Sequence, residues 1–219
     1  VALVVAMLVL VRRALRDDAK FLVAVLLLVC CNGFLDFTTS GLENPLAYCL
    51  IAFYLLHYMR LFDERGADAS KSLFLAALAF GLVVVTRHDL LLLLLPSFIY
   101  AVVAQRSRLD RRAWMSLALL SFGLLLAWSL FALFYYGSIF PNTALAKLNA
   151  GIPASDLARQ GVRYLAASLR HDLIAVVVIV AALVLSFTTR KTWARWLALG
   201  VLANIGYVVT IGGDFMLGR

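Results

Sequence analysis

Residues 114–135 have the sequence WMSLALLSFGLLLAWSLFALFY, an apolar stretch without a single charged residue. A helix that crosses a bilayer needs roughly 20 largely apolar residues. A strand of a membrane barrel would alternate apolar and polar residues, and this stretch does not. Because backbone exposed to lipid must satisfy its own hydrogen bonds, the stretch predicts a transmembrane α-helix.

The whole chain shares this character. Of its 219 residues, 64% are hydrophobic and 15% are charged, and the mean hydropathy is +0.95. Soluble domains have about a quarter of their residues charged, so lipid must be the solvent for most of this chain. The sequence predicts an all-α, polytopic transmembrane helical bundle that forms a single domain over residues 1–219.

Seven full spans are predicted, at residues 21–34, 46–58, 73–85, 90–104, 114–135, 173–187 and 196–211. An eighth, at residues 1–11, is partial: it has no initiator Met, is too short to cross and is followed by Arg12 and Arg13. A secretory signal has the opposite order, with its positive charges first. We therefore expect the sequence to be a segment of a longer chain, incomplete at both ends.

Basic residues are concentrated in alternate connections. One set of connections carries most of them, at residues 12–20, 60–71, 106–112 and 190–195. The other set covers residues 36–45, 87–89, 137–172 and 212–219. By the positive-inside rule the first set is cytoplasmic and the second extracytoplasmic. The net charge of +8 is thus mainly an orientation signal, and no nucleic-acid partner is predicted.

The first outer connection carries two candidate catalytic carboxylates, Asp36 and Glu43. Pro45 favours a helix start, and an acidic residue just before that start is good helix chemistry, so Glu43 has either a capping or a functional role. Capping does not explain Asp36, because the helix dipole opposes a carboxylate at a helix C-terminus.

The second outer connection is the turn Thr86-Arg-His-Asp89 between two short apolar runs. Fifteen residues of helix span only about 22 Å of a roughly 30 Å hydrocarbon layer, so this turn is expected to be recessed. Charges at such a depth are costly. Arg87, His88 and Asp89 therefore either line a polar substrate cavity, or Arg87 and Asp89 form a purely structural pair. In the first case Arg87 and His88 are substrate-binding candidates, and Asp89 is a third candidate catalytic carboxylate.

The third outer connection is long and begins with the stretch Tyr135-Tyr-Gly-Ser-Ile-Phe-Pro-Asn-Thr-Ala-Leu-Ala-Lys147. Asn142 and Lys147 are its substrate-binding candidates. After Pro153 an amphipathic interfacial helix is predicted, with an apolar face at Leu157, Val162, Leu165 and Leu169 and basic residues at Arg159, Arg163 and Arg170.

The last outer segment, Gly212-Gly-Asp-Phe-Met-Leu-Gly-Arg219, brings Asp214 and Arg219 to the same face. Carboxylates and cations gathered there suit a reaction in which a base activates a hydroxyl and cations stabilise a phosphate leaving group. The sequence contains no dinucleotide-binding motif, P-loop or zinc motif. No cofactor is predicted, and a divalent metal has no ligand set to support it.

Together, Thr39-Ser-Gly-Leu-Glu-Asn-Pro-Leu46, Arg87 with Asp89, Phe140-Pro-Asn-Thr-Ala-Leu-Ala-Lys147 and Gly212-Gly-Asp-Phe-Met-Leu-Gly-Arg219 resemble bacterial GT-C glycosyltransferases. Among these enzymes, the motifs resemble the type that includes the terminal arabinofuranosyltransferases of mycobacterial cell walls. The resemblance implies an inverting transferase in the bacterial cytoplasmic membrane, moving a sugar from a polyprenyl-phosphate donor to an envelope glycan, lipid or protein outside. It also implies a main catalytic Asp in a first outer loop, which would precede Val1.

A transporter or flippase of a lipid-linked saccharide is the competing interpretation, because it too needs a polar cavity and interfacial cations. Transporters often show internal repeats and helices interrupted near the midplane. Here no internal repeat is visible, and the polar motifs are predicted at one face. A structural envelope subunit is the third interpretation, but it leaves the recessed turn unexplained.

Overall fold

The computed structural model describes residues 1–39, 41–63, 68–139 and 152–213, and this part of the chain is helical with no strand. The all-α prediction is therefore confirmed for it. The α-helices are α1 (Ala2–Leu15), α2 (Asp18–Cys30), α3 (Asn32–Thr38), α4 (Asn44–Leu61), α5 (Ala69–Thr86), α6 (Leu90–Gln105), α7 (Arg111–Ala118), α8 (Leu124–Tyr136), α9 (Ala154–His171), α10 (Leu173–Thr188) and α11 (Thr192–Thr210). A π-helical turn, Leu119–Gly123, joins α7 to α8.

Aspartates cap four of these helices. In each case the carboxylate accepts a hydrogen bond from a backbone N–H of the first turn, which satisfies a donor that the helix itself leaves unpaired. The capped helices are α2, α5, α7 and α10, and the capping residues are Asp17, Asp68, Asp110 and Asp172.

Long-range contacts place the connections at two opposite ends of the bundle. At one end, which we call the basic end, Arg16 after α1 pairs with Asp63 after α4, and Tyr58 donates a hydrogen bond to the carbonyl of Trp193. At the other, the site end, Arg87 after α5 reaches Asn44 at the start of α4. Successive long helices therefore run in alternate directions, as the charge pattern predicts.

The core lies where α4, α5 and α6 meet, covered by α11 and the π turn. The buried Tyr54 hydroxyl and Ser97 hydroxyl lie 2.8 Å apart, and the Phe80 and Phe98 rings stack with centroids 4.3 Å apart. Glycine permits the closest helix contact: the backbone of Gly200 in α11 packs directly against the carbonyl of Leu93 in α6. A Cβ at Gly200 has no room there.

Three helical segments are long and apolar enough to cross a membrane: Ala69–Thr86, Leu90–Arg108 and Arg111–Tyr136. Two bent helix pairs raise the number to five if each pair is one span. The length and composition of these helices agree with the prediction of transmembrane helices, but the count of seven full spans is not confirmed. The core helix α4 is not among the five, because its buried polar residues, Asn44 and His57 included, lower its hydropathy.

One predicted span is broken. Residues 21–34 were expected to form a single helix, but the chain bends by 79° between α2 and α3, with Cys31 in an extended conformation at the break. The backbone N–H of Gly33 points to Asp172 instead of continuing the helix, with a distance of 2.9 Å to Oδ2. The aspartate belongs to a distant segment, so the local apolar run could not reveal the bend.

The helix predicted after Pro153 is present as α9, bent by 110° from α10. Of the four residues predicted to form its apolar face, Leu157 and Leu165 are partly buried, whereas Val162 is 58% exposed and Leu169 is 45% exposed. Gly161 is buried instead, because its backbone packs against Val209 near the end of α11. Because glycine has no side chain, the backbones of Gly161 and Val209 can lie this close together.

Candidate functional site

The guanidinium of Arg87 is held at the site end by two neighbours. It donates from Nε to Oδ1 of Asp89 (3.2 Å) and from Nη2 to Oδ2 of Asp89 (2.6 Å), a paired contact that fixes its plane. Nη1 donates to Oδ1 of Asn44 at 2.6 Å. The Arg87 side chain is 16% exposed and that of Asp89 is 33% exposed, so this cluster is partly withdrawn from solvent.

Local structure explains how the turn aims these groups. Arg87 ends α5 in an extended conformation, while its N–H still bonds to the carbonyl of Val83 at 2.8 Å. Asp89 immediately precedes α6 but makes no side-chain capping bond, since both of its oxygens accept from Arg87. The Asp89 carboxylate therefore binds the Arg87 guanidinium and does not cap α6.

Electrostatics keep Arg87 charged. Burial by itself lowers the pKa of its guanidinium, but the hydrogen bonds and the charge of Asp89 oppose this effect. The negative charge of Glu43 adds to that opposition, and the net result is a raised pKa. Arg87 thus carries a permanent positive charge in a poorly solvated position.

Asn44 completes the cluster, and it was not among the site residues predicted from the sequence. Its side chain is 1% exposed, and its oxygen is occupied by Arg87. Its amide nitrogen has no hydrogen-bond partner among the described residues. A buried polar group is usually paired, so this unpaired buried donor is a marked exception among the described residues.

A second polar cluster forms where the two bent helix pairs meet. Asn32 donates from Nδ2 to the carbonyl of His171 (2.8 Å), and Asp172 accepts from the backbone of Gly33. Asp172 also caps α10 through Ala175. These hydrogen bonds join the bend between α2 and α3 to the bend between α9 and α10.

Asp36 lies at the exposed edge of this second cluster. Its Oδ2 is 3.6 Å from Nε2 of His171, and its side chain is 59% exposed. An exposed carboxylate beside an imidazole can accept a proton from an incoming hydroxyl. The other two candidate carboxylates, Glu43 and Asp89, occupy the residue before a helix, and Asp89 also pairs with Arg87. In the described part of the chain, Asp36 has neither a capping position nor an arginine ion pair.

Two aromatic rings separate the clusters. Phe34 of α3 and Tyr48 of α4 have ring centroids 5.5 Å apart, and Tyr48 lies within electrostatic reach of Arg87. Both rings line a cavity of about 780 Å³ that continues between α1, α4, α10 and α11. Its walls are mostly aliphatic, and Asp172 lies at its site end. We call this cavity the apolar groove.

The structure brings together only part of the predicted site. Arg87 and Asp89 are in contact, Glu43 lies at the start of α4 close enough to act on Arg87 electrostatically, and His88 is exposed in the same turn. Asp36 belongs to the second cluster. The remaining candidates lie outside the described residues: Asn142, Lys147, Asp214 and Arg219.

Asp172 and His171 were missed at the level of sequence. An aspartate directly before the apolar run that begins at Leu173 is a capping signal, and it could have drawn attention to Asp172. Nothing local indicates its second bond to Gly33, which is 139 residues away. Within the described ranges no group of three His, Cys, Asp or Glu residues could hold a metal ion.

Comparison with known proteins gives no assignment. No protein-family model, curated protein or solved structure matches this chain. The function must therefore be argued from the two polar clusters and the groove between them.

Proposed function

We propose that this protein is a membrane glycosyltransferase that moves a sugar from a polyprenyl-phosphate donor to an envelope glycan, lipid or protein acceptor. The observation that carries the proposal is the position of Arg87: a permanently charged guanidinium is held by Asp89 and Asn44, within electrostatic reach of Tyr48, which lines the apolar groove. A lipid-linked phosphate needs that combination of a cation and a hydrocarbon surface.

Arg87 retains binding capacity in its present contacts. A guanidinium has five N–H donors, and three are used by Asp89 and Asn44. Two remain, and the unpaired amide of Asn44 adds a further donor nearby. These groups would bind the phosphate oxygens and stabilise the charge that grows on them as the glycosidic bond breaks.

Asp36 is our candidate base within the described residues. The acceptor oxygen attacks the anomeric carbon, the bond from that carbon to the phosphate oxygen breaks, and its electron pair stays on the polyprenyl phosphate. The acceptor proton goes to the carboxylate, which His171 orients. Asp89 is assigned a positioning role, because both of its oxygens already accept from Arg87.

We further propose that α4 and α11 also cross the membrane, which restores the seven full spans. Their 18 and 19 residues give lengths of about 27–28 Å, close to the roughly 30 Å hydrocarbon layer. With the basic end in the cytoplasm, the site end faces outside the bacterial cytoplasmic membrane. Nucleotide sugars are cytoplasmic, so a donor already carried across on lipid is required there.

The test uses the intact membrane protein, supplied separately with lipid-linked and nucleotide-linked forms of one sugar. We expect transfer from the lipid-linked form. Arg87→Ala should lower its rate by about 10²–10³, the usual cost of losing one preorganised charge-stabilising donor. Arg87→Lys should restore little, since Lys lacks the planar fork.

Arg111→Ala provides a matched control, because it removes an exposed arginine at the basic end. We expect this variant to keep wild-type activity. Transfer from the nucleotide form alone, or equal activity of the Arg87 and Arg111 variants, would refute the proposal.

The two bent helix pairs favour a second candidate function, a transporter of a lipid-linked saccharide. Breaks of 79° and 110° are of the kind that transporters place around their substrates. Proteoliposomes distinguish the two functions. Movement of a lipid-linked sugar across the bilayer without any new glycosidic product would favour the transporter.

A further inference from the structure

A second cavity opens at the basic end, away from the proposed transferase site. Its volume is about 430 Å³, and α1, α4 and the connection between α10 and α11 surround it. Four of its lining residues are cationic: Arg13, Arg16, Arg60 and Lys191. We call it the basic pocket.

Cations outnumber carboxylates among the described residues that line the basic pocket. The one carboxylate among those residues, Asp63, is engaged by Arg16, with Nη1 2.6 Å from Oδ2. Arg13, Arg60 and Lys191 make no ion pair with any carboxylate in residues 1–39, 41–63, 68–139 and 152–213. Like charges gathered in one cavity repel, so an anion placed among them would stabilise the protein.

An aromatic wall borders the cations. Trp193 lines the pocket with Phe62, and their rings stack with centroids 6.4 Å apart. The Nζ atom of Lys191 lies 5.8 Å from the Trp193 ring centroid. Tryptophan with neighbouring lysine and arginine is the composition typical of the boundary between hydrocarbon and water.

The basic pocket adjoins the apolar groove. Ala14 and Met59 line both cavities. A molecule whose charged head lies among the cations can therefore extend a hydrocarbon chain along α1 and α4 without leaving the protein surface. Between Tyr48 and Met59, α4 gives the groove a length of about 16 Å.

We propose that the basic pocket binds the headgroup of an anionic phospholipid of the bilayer, with an acyl chain entering the adjoining end of the apolar groove. Basic pockets between membrane helices bind such headgroups. A free phosphate would use the cations but not the groove, and a neutral phospholipid would use the groove without matching the charge. This binding does not depend on the transferase function.

The experiment measures lipid binding to the delipidated intact protein by native mass spectrometry. The probes are phosphatidylglycerol, phosphatidylcholine with the same acyl chains, and inorganic phosphate. We expect phosphatidylglycerol to bind at least tenfold more tightly than either alternative. Each cation contributes about fivefold near an anionic surface, so the combined change Arg13→Gln, Arg60→Gln, Lys191→Gln should weaken its binding by on the order of a hundredfold.

A matched control removes the same number of charges from the same end of the bundle but outside the pocket. The combined change Arg108→Gln, Arg111→Gln, Arg112→Gln serves this purpose, because these exposed residues do not line the cavity. We expect it to alter phosphatidylglycerol binding by less than twofold. An equal loss in both variants, equal affinity for the two lipids, or equal affinity for inorganic phosphate would overturn the proposal.

A second measurement keeps the test decisive if the triple pocket variant fails to fold. In a protein whose only tryptophan is Trp193, brominated phosphatidylglycerol should quench the fluorescence more than brominated phosphatidylcholine does. In a matched protein whose only tryptophan is Trp128, which lies on α8 away from the pocket, both lipids should quench equally. Equal quenching of Trp193 by the two lipids would contradict the proposal.

Discussion

The pairing of Arg87 with Asp89 can be measured by a double-mutant cycle with Arg87→Gln, Asp89→Asn and the double variant. Asp89→Asn removes the charge while keeping the shape of the side chain, and Arg87→Gln removes the guanidinium together with its charge. Two hydrogen bonds of 3.2 and 2.6 Å join Arg87, whose side chain is 16% exposed, to Asp89, whose side chain is 33% exposed. The pair is thus more buried than a surface ion pair but not sealed from solvent.

The expected magnitude follows from this partial burial. Exposed ion pairs contribute about 0.2–1 kcal/mol, and hydrogen bonds to charged groups about 1.5–3 kcal/mol. We expect a coupling free energy of about 2 kcal/mol between the two positions. Asp89→Asn alone should cost more than Arg87→Gln alone, because it leaves a half-buried guanidinium without its counter-charge.

Reversible unfolding in mixed micelles, followed by circular dichroism, gives the free energy of unfolding of each variant. Arg108→Gln in the same backgrounds is the control, since this exposed arginine makes no ion pair in the described part of the chain. A coupling below about 0.5 kcal/mol would refute the geometry from which both the charge state of Arg87 and its proposed role are argued.

Three further predictions concern helix contacts and topology. Gly200→Ala should destabilise the protein by about 1–3 kcal/mol, because a Cβ there collides with the carbonyl of Leu93. Gly206→Ala has open space around the new Cβ and should be neutral or stabilising by up to about 1 kcal/mol. Chemical unfolding compares the stabilities of the two variants. Asp172→Ala should lower the free energy of unfolding by about 2–3 kcal/mol, since it removes both the cap of α10 and the hydrogen bond to Gly33. Asp110→Ala removes only a cap and should lower it by about 1 kcal/mol. Equal losses in the two variants would show that the contact between the two bends contributes nothing. Single cysteines introduced at Thr39 and Ser70, with the native cysteines replaced, should react with an impermeant thiol reagent from opposite sides of the membrane, and labelling of both from one side would reverse the assignment of the two ends.

Local pattern predicted a good part of this molecule. Long apolar runs indicated a helical membrane protein, the alternation of basic connections indicated which loops share an end, and the spacing of Arg87 and Asp89 allowed the pair that the structure contains. The amphipathic segment after Pro153 indicated α9. The apolar runs, the Arg87–Asp89 pair and α9 each depend on residues within about 20 positions of one another, and the alternation of basic connections depends only on the order of charges along the chain. Hydrophobic length and charge order are therefore sufficient to reveal them.

The tertiary structure decided the features that make a site. Asn44 contacts Arg87 across 43 positions, Gly33 contacts Asp172 across 139, and the apolar groove is lined by helices that are far apart in sequence, among them α1, α4, α10 and α11. No periodicity encodes these contacts, since they depend on which helices are neighbours and at what angle they pack. The apolar pattern specifies that residues 21–34 are buried in lipid or protein, but the break in that stretch lies beside a hydrogen bond to Asp172, a residue 139 positions from Gly33.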